Sequence, residues 1–221
     1  MSIGENIAAV RGRIEAACER AGRAPDEVTL IAVSKGFGAE TVAEAFEAGQ
    51  RDFGENRVQE AIEKIDALAG RGIEPRWHLI GHLQSNKAKL AVRRFAIVHG
   101  VDSLRLAEEL SRHAERLPIL LEVNAAQEAS KFGFAPQEVA PALSSIALLP
   151  HLDIRGLMAV APLSSDAEAV RPVFRRLREL RDALGLLELS MGMSNDYETA
   201  IEEGATMVRV GRAIFGERPL A

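Results

Sequence analysis

One pattern limits what this chain can fold into more than any other: short apolar runs alternate eight times with longer stretches of helical spacing. Val28–Val33 reads VTLIAV, β-branched and without polar alternation, as a strand buried on both faces does. Further strands are expected at Arg51–Gly54, Trp77–Ile80, Ala96–His99, Pro118–Val123, Ile154–Ala159, Glu188–Ser190 and Thr206–Val210. Between them, helical spacing marks Ala39–Ala48, Arg57–Ala69, Asn86–Arg93, Ser103–His113, Pro136–Ala147, Asp166–Leu184, Tyr197–Glu203 and a last turn at Ala213–Phe215. Asp102 or Ser103 caps the Ser103–His113 helix, and Asp166–Leu184 is expected to be the longest. A leading helix comes first, with Ile3, Ile7, Val10, Ile14, Cys18 and Ala21 on one face.

Strand–helix alternation implies a parallel sheet covered by helices. Eight units predict a single (β/α)8 barrel spanning residues 1–221, within the size range of that fold. An open doubly wound sheet is the competing architecture. It would carry a Gly-x-Gly-x-x-Gly turn after the first strand, whereas Ser34-Lys35-Gly36-Phe37-Gly38 lacks the third glycine and a downstream acid.

Composition narrows the function classes. Aromatic residues are only 5% of the chain, so the core is expected to be aliphatic. A formal charge of -5 argues against a nucleic-acid binder, and the basic run Arg175, Arg176, Arg178 and Arg181 reads as a solvated helix face. The single cysteine, Cys18, allows no internal disulfide and sits on the buried face of the leading helix. No stretch approaches the roughly 20 apolar residues of a membrane span, and the N-terminus lacks a signal-peptide pattern, so a cytoplasmic protein is expected.

In this barrel, chemistry gathers at the C-terminal ends of the strands. Lys35 stands there after the first strand. A lysine at that point is partly desolvated, which frees its amine to attack a carbonyl. It could equally be an ordinary lysine reaching for water, and position alone does not separate the two. Asn56 follows the second strand and either contacts a ligand or caps the next helix. Glu55 and Asp102 read as polar residues of the barrel mouth. His78 and His82 are four apart, but Gly81 interrupts the element between them, which argues against a zinc pair.

The last units add an anion site. Arg209-Val210-Gly211-Arg212 ends a strand and opens a helical turn, where backbone N–H groups and the helix dipole favour a phosphate. Ser190-Met191-Gly192-Met193-Ser194, after the seventh strand, supplies hydroxyls and a glycine. Barrel closure puts the eighth strand beside the first, so this anion site adjoins Lys35. A carbonyl-reactive lysine next to a phosphate site suits pyridoxal 5′-phosphate (PLP), with Arg209 available to the ring nitrogen. A permanently charged arginine there disfavours protonation of the ring and weakens it as an electron sink.

Seven stretches carry a resemblance. They are AVSK (Ala32–Lys35), FGENRVQEA (Phe53–Ala61), WHLIGHLQSNK (Trp77–Lys87), LEVNAAQEASKFGF (Leu121–Phe134), GLMAV (Gly156–Val160), LSMGMSNDYETAI (Leu189–Ile201) and VRVGRAIFG (Val208–Gly216). Together, in this order, they resemble the pyridoxal phosphate homeostasis protein family, also called the proline synthetase co-transcribed family. The resemblance implies a fold-type III PLP barrel similar to the N-terminal domain of alanine racemase. It places covalent PLP on Lys35 and a ring contact on Asn56. It puts phosphate contacts on Ser194 and the backbone of Gly211 and Arg212, and the ring-nitrogen contact on Arg209. It further implies a cytoplasmic, usually monomeric protein that keeps free PLP low and influences amino-acid and keto-acid balance. Two positions depart from the family pattern: Gly36-Phe37-Gly38 after the lysine, and Arg212 where a hydroxyl residue is common.

Two further function classes are open to such a site: a PLP-dependent amino-acid racemase or decarboxylase, and a Schiff-base aldolase. A PLP-dependent racemase needs acid–base groups on both faces of its substrate. The chain's single tyrosine, Tyr197, falls in a helix, and with Ala221 directly after the eighth unit no second domain is expected to close the site. A Schiff-base aldolase using Lys35 without PLP would leave Arg209 without a role. The expected function is therefore PLP carriage and homeostasis without catalytic turnover, with PLP-dependent apo-enzymes as partners.

Overall fold

In the computed structural model, residues 1–126, 132–162, 164 and 166–217 are described; residues 127–131 within the LEVNAAQEASKFGF stretch and the terminal residues 218–221 lie outside them. Eight parallel strands close into a barrel in sequence order. They are β1 (Thr29–Val33), β2 (Asp52–Glu55), β3 (Arg76–Leu79), β4 (Ile97–Val101), β5 (Leu117–Glu122), β6 (Leu152–Met158), β7 (Glu188–Met193) and β8 (Met207–Val210). Closure pairs β1 with β8 in a register that sets Ile31 opposite Arg209 and Ala32 opposite Val210.

The helices are α1 (Ile3–Arg20), α2 (Ala39–Glu47), α3 (Val58–Ala69), α4 (Ala88–Ala91), α5 (Leu104–His113), α6 (Val139–Ile146), α7 (Arg171–Ala183), α8 (Tyr197–Glu202) and α9 (Arg212–Phe215). Ser2 and Glu5 form a capping box that starts α1, and Ser103 rather than Asp102 caps α5. The longest helix is α1, not the 166–184 segment. There Pro172 supplies no N–H, and the chain enters α7 through a separate 3-10 turn at Glu168–Val170. The expected 86–93 helix is likewise split into a 3-10 turn, Ser85–Lys87, and the single turn α4.

Side chains alternate sides along each strand, so the barrel has two cores. The outer one packs residues such as Leu30, Phe53, Leu79, Val98 and Leu121 against the buried helix faces, Cys18 among them. Fully burying a side chain of this size contributes about 1.5–3 kcal/mol. The inner one is small: Ile31, Ile97, Leu120, Met158 and Met207. Both apolar layers are mainly aliphatic, and what the aliphatic expectation leaves out is the polar part of the interior. Inside the barrel, buried His78, His99, Ser190 and Arg209 take much of the remaining space.

The basic run of α7 is solvated at Arg175 and Arg176, and it also carries ion pairs. Arg171, Arg175 and Arg178 converge on Glu203, whose side chain is 5% exposed. Arg171 also reaches Glu202, which pairs with Arg20, so the ions tie α1, α7 and α8 together.

Candidate functional site

A cavity of about 630 Å³ opens at the C-terminal mouth of the barrel, centred on the β1–β8 seam. Its lining contains all six residues singled out in the sequence: Lys35, Asn56, Ser194, Arg209, Gly211 and Arg212. Such a volume suits a small cofactor.

Lys35 follows β1 by two residues and is half-buried. The backbone on either side of it is pinned. Before it, the Ser34 hydroxyl donates to Glu55 Oε1 at 2.7 Å, and Lys64 Nζ donates to Ser34 O at 2.9 Å. After it, the Gly36 N–H donates to Glu60 Oε1 at 2.6 Å. Phe37 then turns back onto Phe215, with ring centroids 5.2 Å apart, so the rim left open by the Gly36-Phe37-Gly38 departure is an aromatic pair.

Asn56 owes its place to Gly81. A Cβ on Gly81 would lie 2.5 Å from Asn56 O, so only glycine lets the β3 loop pass this close. Gly211 acts similarly at the seam, where an added Cβ would lie 3.2 Å from Val33 O. A tight turn presents Ser194 and Asn195: the Asp196 N–H donates to Met193 O, and the Met193 N–H donates to Asp196 Oδ1 at 2.6 Å. Burial pushes the Asp196 carboxyl up, against the pull of that N–H and of Arg209. Arg212 reaches across the rim and donates to Asn195 Oδ1 at 3.0 Å.

Arg209 forms the floor and is 4% exposed. Its Nη1 donates to Ser190 Oγ at 2.6 Å and its Nη2 to Ala159 O at 2.8 Å. Burial lowers its pKa to about 10, with Glu122 and Asp196 opposing the shift, so it remains a cation at neutral pH. Ser190 is thus no part of a loop facing an anion. It lies inside β7, fully buried, where the expected strand had its last residue, and the strand runs on three residues further to Met193.

Sequence reasoning missed the polar interior. Glu122 ends β5, and burial together with nearby Asp102 raises its pKa to about 7, against Arg209 and His82. His82 pairs with Asp102 at 2.8 Å and stacks on Phe132. His78 faces the barrel interior instead of sharing an ion with His82, and no three potential metal ligands cluster among the described residues. A strand-parity count from Ile31 could have placed His78 and His99 inside, but not their hydrogen-bond partners.

Residues 6–219 match the alanine racemase N-terminal domain family. The pyridoxal phosphate homeostasis protein of Pseudomonas aeruginosa is 47% identical, over 98% of this chain and 96% of that protein. That of Escherichia coli K12 is 45% identical, over 98% and 97%. The chain belongs to the pyridoxal phosphate homeostasis protein family. Among solved structures, family member PipY of Synechococcus elongatus PCC7942, with PLP bound, superposes with a TM-score of 0.85 at 40% identity, covering 97% of this chain and all of PipY. The family's barrel and its leading helix are both present here.

Proposed function

We propose that this protein binds PLP at the β1–β8 mouth, holds it covalently through Lys35, and serves PLP homeostasis rather than turnover. The observation that carries the reading is the meeting of Lys35 with buried, cationic Arg209 in one cavity that also presents Ser194, Gly211 and Arg212. The residues present fit the cofactor. Its phosphate suits the Ser194 hydroxyl and the backbone N–H groups of Gly211 and Arg212 where α9 begins. Arg209 suits the unprotonated ring nitrogen, since a guanidinium can only donate. Asn56 stands where it can meet the ring oxygen.

When bound, PLP supplies a carbonyl for an amine and a ring that can accept electrons. Arg209 restrains the second property by denying the ring nitrogen a proton. Besides Lys35, the described lining holds only two proton-transfer side chains, the carboxyls of Asp196, which accepts the Met193 N–H, and Glu217; it includes no histidine, tyrosine or cysteine, and Tyr197 is buried in α8. That supports carriage over racemization, which needs a second acid–base group opposite the lysine. The names of the relatives support it too. We further propose a cytoplasmic monomer that exchanges PLP with apo-enzymes.

Purified protein is expected to be yellow, to lose that band on borohydride reduction, and to lack it in Lys35→Ala. A colourless protein that takes up no added PLP would overturn the cofactor reading. Steady turnover of any amino acid at about 1 per second or faster would overturn the carrier reading.

A further inference from the structure

Beneath the cavity, five side chains run in single file through the barrel. Arg209 Nη1 donates to Ser190 Oγ at 2.6 Å. Ser190 Oγ lies 2.8 Å from His99 Nδ1, His99 Nε2 lies 3.0 Å from His78 Nδ1, and His78 Nε2 lies 2.9 Å from Asp52 Oδ1. Asp52 opens β2, at the opposite end of the barrel from the cavity, and there also meets Arg76 at 3.3 Å.

Donor accounting allows one direction along this file. A guanidinium only donates, an ionised carboxylate only accepts, a serine has one proton, and a neutral imidazole has one donor and one acceptor. Asp52 therefore takes the His78 Nε2 proton and leaves His78 Nδ1 as an acceptor. That acceptor takes the His99 Nε2 proton and leaves His99 Nδ1 as an acceptor in turn. Ser190 spends its only proton on that nitrogen and shows Arg209 a lone pair. The reverse order gives Ser190 two donors and strands its own hydroxyl proton. Burial holds His99 well below the usual imidazole range, with His78 and Arg209 adding to the effect, so its ring stays neutral.

We propose that Asp52, His78, His99 and Ser190 are positioning residues: the carboxylate at the far end of the barrel sets each imidazole tautomer in turn and so fixes how Arg209 meets the cofactor ring. The inference rests on the cavity being the PLP site, but the tautomers do not. In PLP-free protein at neutral pH, 15N NMR is expected to show a proton on Nε2 and an acceptor at Nδ1 in both His78 and His99. A ring protonated at Nδ1, or an imidazolium, would overturn the proposal.

After PLP loading, Asp52→Leu is expected to weaken PLP binding about tenfold, the scale of one hydrogen bond to a charged group, and to move the visible absorption maximum. Asp52→Asn keeps an acceptor oxygen and is expected to stay within about twofold of the parent. Wild-type affinity and spectrum in Asp52→Leu would overturn the proposal. Should that variant not fold, Ser190→Ala is read the same way, with Ser190→Thr as its rescue. If the parent protein takes up no PLP, the cofactor reading fails while the tautomer result still decides the hydrogen-bonded file.

Discussion

Lys64 Nζ and Glu55 Oε1 stand 2.5 Å apart in the barrel wall behind Lys35, with side chains 4% and 0% exposed. Neither charge has water to fall back on. Because Lys64 also holds Ser34 O, the pair fixes the backbone from which Lys35 projects.

Removing one partner should cost more than removing both. Lys64→Met strands the Glu55 carboxylate and is expected to lower unfolding free energy by about 3–5 kcal/mol. Adding Glu55→Gln removes the stranded charge and keeps an acceptor for Ser34. Denaturant melts should therefore place the double variant above Lys64→Met.

Glu122 predicts a pH trend. Its folded pKa, about 7, lies above the ordinary carboxylate value, so the folded state binds the extra proton. The stability this brings is full below about pH 4.3 and is lost as pH rises through 7. Glu122→Gln should flatten that part of the stability–pH curve and be the more stable protein at pH 8. The gain is bounded at about 3.5–4 kcal/mol, and melts at pH 5 and pH 8 measure it.

Gly81→Ala should disturb the site from outside it. The new methyl would press on the Asn56 backbone and force the β2 loop to move. A loss of about 1–3 kcal/mol in stability is expected, with weaker PLP uptake read by the visible band. Unchanged uptake would show that Asn56 placement does not matter to the ligand.

Glu203→Gln tests the helix-layer ions. Burial pushes the Glu203 carboxyl up, yet Arg175, Arg171 and Arg178 outweigh it and hold it below the usual range. Its contribution is present above the unfolded carboxylate pKa and is lost as pH falls through the folded one. The variant should be less stable by about 1–2 kcal/mol near pH 7, with the gap closing in acid.

Much of this was legible in the residues themselves. The eight-fold alternation reports the barrel because buried parallel strands and amphipathic helices each have a period that composition cannot hide. Lys35, Asn56, Ser194, Arg209, Gly211 and Arg212 were legible because strand ends and tight turns are local features, and barrel closure brings them to one mouth. Strand ends drifted by one to three residues, most in β7, which runs past Ser190 to Met193.

The sequence by itself thus determined that Lys35 and Arg209 share a barrel mouth, since β1 and β8 must meet for the sheet to close. Only the tertiary structure decided what stands behind them. Ser34, Glu55 and Lys64 behind Lys35, and Asp52, His78, His99 and Ser190 behind Arg209, come from strands and helices far apart in the chain. Each is a polar residue whose partner is set by strand register and barrel stagger, quantities that no local pattern of residues encodes.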